Sequence, residues 1–385
     1  MADRPSLGLV GAGSRGLSHV DHVHAVSDRQ FVDTWEEPWP LNSEDFPFGV
    51  YHDHASEVPE WAADVSHLQA SVTAVCDPSE EARERAVERC RAHGDDPDTF
   101  ASLAEFRAAE VCDIAVVASP NHTHADVVVP LLEDGFDVFC EKPLATTLAD
   151  HDRIAAAADD ADGLLYVGFN MRHAPLYARI AALLADGRIG RLGMLSAHEV
   201  RVPFPRGHYY RQAESGGTLL EKDCHDFDVF NWYADADPVR VAAFGGQQVL
   251  DRDTDVLDHA TVVVEYENGV KGTLELCLYA PFSQPTDRRY ELRGTEGLVR
   301  SGVDPGRLDI FDREGHDTLR VGGTDDEHGG ADFRMWLDVL RVLAGESEPP
   351  ATATDAKRAA AVAIGAERAI RENRVVEIDR HYDLQ

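Results

Sequence analysis

Short apolar runs alternate with amphipathic stretches over the first 145 residues of this chain. Leu7–Val10, Val72–Cys76, Ile114–Ala118 and Asp137–Cys140 read as strands, and Leu17–Val26 and Thr123–Glu133 carry helical spacing. Ser79 is placed to cap a helix whose first turn holds Glu80 and Glu81, where the helix dipole favours acids. Strand–helix alternation of this kind predicts a parallel sheet with right-handed crossovers. After Leu148 the pattern changes. Leu164–Phe169, Leu192–Val200, Val239–Phe244, Ala260–Glu267 and Val270–Leu278 are strand-like, several with period-two alternation. Asn268-Gly269 predicts a hairpin turn with positive φ at both residues. Phe333–Leu343 and Thr354–Glu372 read as amphipathic helices. The expected fold is therefore α/β: a doubly wound parallel sheet in residues 1–145, then an α+β domain in 146–385 with a large, mostly antiparallel open sheet. Residues 28–68 are acidic, rich in proline and aromatics, fit neither pattern, and read as an insertion in the first domain.

Gly11-Ala12-Gly13-Ser14-Arg15-Gly16 follows the first strand and opens a helix, the context in which Gly-x-Gly-x-x-Gly predicts a Rossmann dinucleotide site. The first glycine permits a tight turn and the second lets pyrophosphate approach the backbone. The third allows close helix–strand packing, with phosphate at the helix N-terminus. Asp77 ends the next strand. It fits the ribose-binding acid expected about 20 residues downstream once the insertion is set aside, and it equally fits a turn residue before Pro78. As a ribose ligand it favours NAD, because a carboxylate repels a 2′-phosphate. Arg15 acts in the opposite sense and leaves NADP open.

The charge narrows the partners. Lysine and arginine number 36 against 70 aspartates and glutamates, a formal net charge of −34. Such a polyanion repels nucleic acid and anionic lipid, so neither is an expected partner. No run of eighteen apolar residues is present, and the N-terminus lacks a signal-peptide core, so a soluble cytoplasmic protein is expected. With 43% hydrophobic residues the chain has ample material for a core. Lysine occurs only at positions 142, 222, 271 and 357. Acid-rich, lysine-poor surfaces suit a strongly saline cytoplasm, where the Debye length falls to about 3 Å at 1 M salt; a GC-biased proteome gives the same composition. Six cysteines without a Cys-x-x-Cys pair exclude zinc ribbons and thioredoxin-type motifs. His19, His22 and His24 lack a carboxylate framework, so no metal is expected.

Two further blocks carry a resemblance. Ala118-Ser119-Pro120-Asn121-His122-Thr123-His124 is followed by Glu141-Lys142-Pro143-Leu144-Ala145. Gly168-Phe169-Asn170-Met171-Arg172, Gly187-Arg188-Ile189-Gly190, and Gly216-Gly217-Thr218-Leu219-Leu220 leading to His225-Asp226-x-Asp228 agree with them. Outside residues 28–68 the chain resembles the glucose–fructose oxidoreductase and inositol dehydrogenase (Gfo/Idh/MocA) family. The resemblance implies a Rossmann domain for NAD or NADP and a second domain whose open sheet lies beside the nicotinamide and often serves as a homo-oligomer face. It assigns Ser119, Pro120, Asn121, His124, Glu141, Lys142 and Arg172 to the cofactor site, with the glycine loop and Asp77. Lys142 reaches the substrate hydroxyl, and His225 is the general base. The family commonly has aspartate four residues before that histidine; here it is Glu221. On a continuous helix, residues 221 and 225 share a face, so Glu221 is expected to orient the imidazole. Lys222 reads equally as substrate-facing or as a solvated flanking lysine.

The residue types suit the chemistry. Hydride leaves a carbinol carbon readily only when the hydroxyl proton is removed with it, and a neutral histidine accepts a proton near neutrality. A lysine ammonium stabilises the developing alkoxide. The expected protein is an NAD(P)-dependent dehydrogenase acting on a secondary alcohol of a sugar, inositol or related polyol. A glycoside hydrolase that retains NAD and a non-catalytic nucleotide-sensing regulator are the rivals on the same fold.

Overall fold

The computed structural model describes residues 4–28, 35–38, 67–204, 207–250, 254–281, 283, 287–302, 306–322 and 330–385. The chain begins β1 (Ser6–Val10), α1 (Ser14–Asp28), β2 (Trp35–Pro38), β3 (Ser71–Cys76), α2 (Glu80–Ala92) and β4 (Asp98–Phe100). It continues with α3 (Leu103–Ala109), β5 (Ile114–Val117), α4 (His124–Glu133), β6 (Asp137–Cys140), α5 (Leu148–Asp160) and β7 (Leu165–Val167). Next come α6 (Pro175–Ala185), β8 (Leu192–Val200), α7 (Gln212–Ser215), α8 (Thr218–Glu221), α9 (Cys224–Ala234), β9 (Pro238–Gly246) and β10 (His259–Tyr266). The remainder is β11 (Lys271–Cys277), β12 (Asp287–Gly294), β13 (Leu298–Ser301), β14 (Arg307–Asp312), β15 (Gly315–Gly322), α10 (Ala331–Leu343), α11 (Ala353–Glu372) and β16 (Val376–Glu377).

Two compact units form, and each is interrupted along the chain. The first comprises described residues up to 28, then 67–170 and 331–356. Its six parallel strands lie in the order β4-β3-β1-β5-β6-β7. Renumbered within the sheet this is 3-2-1-4-5-6, the doubly wound arrangement with its topological switch between β1 and β5. Every residue of β5 is buried, as a central parallel strand covered on both faces requires. The expected cap is present: the Ser79 hydroxyl accepts from the Ala82 N–H at the start of α2.

The second unit takes residues 171–330 and 357–385, together with β2. Its ten-stranded sheet runs β16-β9-β10-β11-β8-β12-β13-β14-β15-β2. All its pairs are antiparallel except β8 with β11. The expected parallel and mostly antiparallel sheets are both present.

Four sequence expectations change in detail. The run Leu164–Phe169 belongs to the first sheet, not the second: β7 pairs in parallel with β6 after the α5 crossover. A run this short announces a strand but not its sheet. The division expected at 145/146 differs from the observed grouping, because β7 and α10 join the first unit. Within 28–68, residues 35–38 form an edge strand beside β15, and 29–34 and 39–66 lie outside the described residues. The β10–β11 turn places only Gly269 at positive φ, +89°. Gly269 N–H bonds to Tyr266 O at 2.9 Å and Tyr266 N–H to Val270 O at 3.0 Å, a three-residue hairpin that needs one left-handed residue rather than two.

Candidate active site and cofactor loop

The glycine loop lies at the switch point. Gly11 has φ +99°, and a Cβ there would stand 2.5 Å from the Ser119 backbone nitrogen. Ser119 follows β5, so the first glycine lets two strand-end loops touch. A Cβ on Gly16 would fall on the Gly11 carbonyl oxygen, so the third glycine lets α1 pack against β1. At Gly13 a Cβ would meet nothing within 4 Å. That open cradle, at the positive end of a 15-residue helix, fits a pyrophosphate. Asp77 faces the same loop: its Oδ2 accepts the Ala12 N–H at 2.9 Å and its Oδ1 the Ser79 N–H at 2.8 Å.

Ser14 begins α1, and Arg15 follows it. Arg15 Nε lies 2.5 Å from Glu141 Oε1, and its two terminal nitrogens reach Asp332 at 2.8 and 3.0 Å. Asn170 Nδ2 donates to Asp332 Oδ1 at 2.9 Å. One turn along α1, His19 Nε2 lies 2.9 Å from Glu141 Oε1, while its Nδ1 accepts from Trp336 Nε1 at 3.0 Å. Burial alone would push the Glu141 carboxyl up, but Arg15, His19 and Lys142 outweigh it and hold the group well below the carboxylate range. Burial and the neighbouring Arg15 push the His19 imidazole down, so it stays neutral. Sequence reading missed Asp332 and His19. His19 carried a signal, standing four residues after Arg15 on the same helix; Asp332 carried none.

Lys142, half-buried, follows this anchored glutamate, and its backbone N–H donates to Glu141 Oε2 at 3.0 Å. The next residue is held as well. His124 is 1% exposed, and its two ring nitrogens lie 2.9 Å from Pro143 O and 2.9 Å from Ser119 O. Burial pushes this imidazole down too. Each ring nitrogen of His124 faces a backbone carbonyl, one of the lysine loop and one of the Ser119-Pro120-Asn121 turn, and the neutral ring donates to one of the two. Ser119 Oγ lies 2.7 Å from Thr123 Oγ1, and Asn121 is buried at the start of a short 3₁₀ turn.

In the second unit, Glu221 and His225 are 7% and 8% exposed. They do not lie on one helix. α8 ends at Glu221, Lys222 and Asp223 form a turn, and α9 starts at Cys224, so the expected i,i+4 relation is broken. Arg172 is paired within this unit: Nε and Nη2 donate to the Asp228 carboxylate at 2.7 and 2.6 Å. That fork places it on α9 as a brace, where a cofactor contact was expected. Lys222 turns inward, 3.2 Å from Glu199, which also meets Arg288 at 3.1 Å. Arg288 and Tyr290 both bond to Asp226. Burial and Arg288 push the Lys222 ammonium down. Burial, with Asp226 and Glu199 nearby, pushes Asp223 well up. Among the described residues no His/Cys/Asp/Glu group is arranged for a metal, and no helix is long and apolar enough to cross a membrane.

A doubly wound sheet with a three-glycine loop and a strand-end carboxylate at its switch point defines a dinucleotide-binding protein. Residues 6–169 match the model of an oxidoreductase family with an NAD-binding Rossmann fold, and residues 177–300 match the GFO/IDH/MocA C-terminal domain. The chain belongs to the Gfo/Idh/MocA family of NAD-binding oxidoreductases. It is 28% identical to the myo-inositol 2-dehydrogenase of Thermotoga maritima over 69% of this chain and 80% of that one. Among solved structures, levoglucosan dehydrogenase with NADH and levoglucosan superposes with TM-score 0.79 at 17% identity, covering 97% and 99% of the two chains. The WlbA dehydrogenase of Bordetella pertussis, solved with NADH and UDP-GlcNAcA, superposes with TM-score 0.74 at 19% identity, covering 98% and 99%. Across the first curated relatives the chain spans from 32% to 80% of the relative's own length.

Proposed function

We propose that the chain is an NAD-dependent dehydrogenase oxidising a secondary alcohol of a sugar, an inositol or a related polyol. The observation that carries this reading is the bracing of the lysine loop. Arg15, Asp332, His19 and His124 fix the backbone on either side of Lys142, the arrangement that preorganised charge stabilisation requires. When bound, NAD accepts the hydride. Lys142 holds its ammonium against the hydroxyl oxygen and stabilises the charge that develops there. His225 takes the hydroxyl proton. The glycine loop receives the pyrophosphate, and Asp77 accepts from the ribose. Because Arg15 is committed to Glu141 and Asp332, its charge is already balanced and does not favour a 2′-phosphate; this supports NAD over NADP. Myo-inositol and levoglucosan, named for the relatives, are the first substrates to try.

Lys142→Met and His225→Ala should each lower single-turnover hydride transfer by about 10²–10⁴, the usual loss for one acid–base group. Dinucleotide affinity, followed by fluorescence, should stay close to wild type. Raising the pH should partly rescue His225→Ala and not Lys142→Met. Near-wild-type transfer in His225→Ala would place the base elsewhere, and higher catalytic efficiency with NADP than with NAD would remove Asp77 from the ribose site. Six cysteines without a disulfide support a cytoplasmic setting. Exposed Met194, Val263 and Phe244 on the open sheet support its use as a homo-oligomer face.

A further inference from the structure

The second unit contains a carboxylate that the proposed chemistry does not use. Glu367 lies on α11, far along the chain from the residues it meets. Its Oε1 accepts the Leu219 N–H at 3.1 Å, and its Oε2 accepts from Gln212 Nε2 at 3.0 Å. It fills a hollow that a side chain at Gly217 would occupy: a Cβ there would land on the carboxylate. Gly216 and Gly217 have φ of +84° and +99°, so both the turn's shape and the room for Glu367 require glycine. This turn leads into α8, whose last residue is Glu221, and then into α9 with His225. Lys222 N–H bonds back to Thr218 O at 2.9 Å and Asp223 N–H to Leu219 O at 3.0 Å, so the geometry at Leu219 is passed on to the turn before His225.

We propose that Glu367 is a positioning residue for His225, holding the Gly216-Gly217-Thr218 turn from behind so that α8 and α9 present Glu221 and His225 in a fixed place. The inference rests on the role given to His225 above. Both partners of Glu367 are N–H donors, and they approach different oxygens, so the group here needs an acceptor at each of the two positions. A carboxylate provides both. A glutamine has one acceptor oxygen and must set its NH₂ against one donor. Turning Gln212 over does not help, because Gln212 Nε2 also donates to Gly216 O at 3.0 Å and its oxygen would then face that carbonyl.

The charge state follows from the surroundings. Burial pushes the Glu367 carboxyl up to about 7, against the pull of Gln212, the Leu219 N–H and Arg371. Arg371, one turn further along α11, is the charged group acting on it; α7 presents the neutral Gln212 and α8 a backbone N–H. Near neutrality the brace therefore passes from a weakly accepting acid to a strongly accepting carboxylate as pH rises.

The test compares wild type, Glu367→Gln and Glu367→Asp in the full chain. With a polyol substrate, Glu367→Gln should lower kcat about ten- to a hundred-fold, the scale of small misplacements of a catalytic group, and leave the NAD dissociation constant unchanged. The acid limb of log kcat against pH should be steeper in wild type, where Glu367 titrates near pH 7, than in Glu367→Gln. Glu367→Asp keeps two acceptor oxygens and should keep the steeper limb at reduced kcat. Wild-type kcat and an unchanged limb in Glu367→Gln would overturn the proposal while leaving His225 as base. Should the wild type oxidise no polyol, the proposed function fails and the brace is read without substrate. The His225 ring resonance, identified by its loss in His225→Ala, should carry a component that follows Glu367 near pH 7 and is lost in Glu367→Gln. A resonance that titrates identically in both proteins overturns the brace.

Discussion

Three glycines in one loop meet three different surroundings, and substitution should separate them. Gly16 has the Gly11 carbonyl where a Cβ would go, so Gly16→Ala must push α1 off β1. A cost of about 1–3 kcal/mol is expected, the range for overpacking. Gly13 faces open space, so Gly13→Ala should keep the wild-type melting temperature and instead weaken NAD binding, because the methyl fills the pyrophosphate cradle. Thermal unfolding beside cofactor titration checks both; equal destabilisation by the two substitutions would contradict the assigned roles. These glycines are legible in the sequence because they share one short motif between a strand and a helix, even though the room Gly11 leaves is for Ser119. Asp332 is not: its bond to Arg15 spans 317 positions. An arginine in a phosphate loop invites a ligand reading, and only the folded chain supplies the two carboxylates that claim it. His124 is similar in that the carbonyls facing its ring, Pro143 O and Ser119 O, are not evident from the motif.

Among the elements, legibility follows the contrast between faces. β10 and β11 alternate apolar and polar side chains, and both are plain in the sequence. β12, with Arg288, Arg289, Tyr290, Glu291, Leu292 and Arg293, reads as a charged segment. It is a strand because Arg288 points inward to Glu199 and Asp226, so the alternation is hidden inside a buried ion cluster. The break between α8 and α9 is equally silent. The short 3₁₀ turn Asn170–His173 is tied to α9 through Arg172 and Asp228, whose side chains are 10% and 1% exposed. Asp228→Asn should remove the charge that meets the Arg172 fork in that buried place and cost about 3–5 kcal/mol, the scale for breaking a buried pair. Replacing both residues, as Arg172→Met with Asp228→Leu, should cost less than the single change. Chemical denaturation of the three proteins reads this, and additive losses would show that the pair does not act as a unit.

The molecule as a whole carries a formal charge of −34 and four lysines. Self-repulsion on that scale is screened by molar salt. The melting temperature should rise between dilute buffer and molar KCl, and an equal or higher value in dilute buffer would count against adaptation to salt. The sequence made both sheets visible but not how the chain divides between them, because a helix does not declare which sheet it covers. α10 is the case in point. Phe333, Met335, Trp336, Leu337, Val339 and Leu340 complete the core in which Leu7, Leu9, Val20, Val72 and Val116 lie. Tyr166 bonds to Asp338 at 2.9 Å from β7. A ribosome releases all six strands of the first sheet by residue 170, yet the helix that closes their core is encoded only after residue 330. At about 5–20 residues per second the interval is on the order of 10–30 s. Throughout it α1 and α2 share that core without the apolar side chains of α10, so part of it stays exposed to aggregation while the second unit is still being translated.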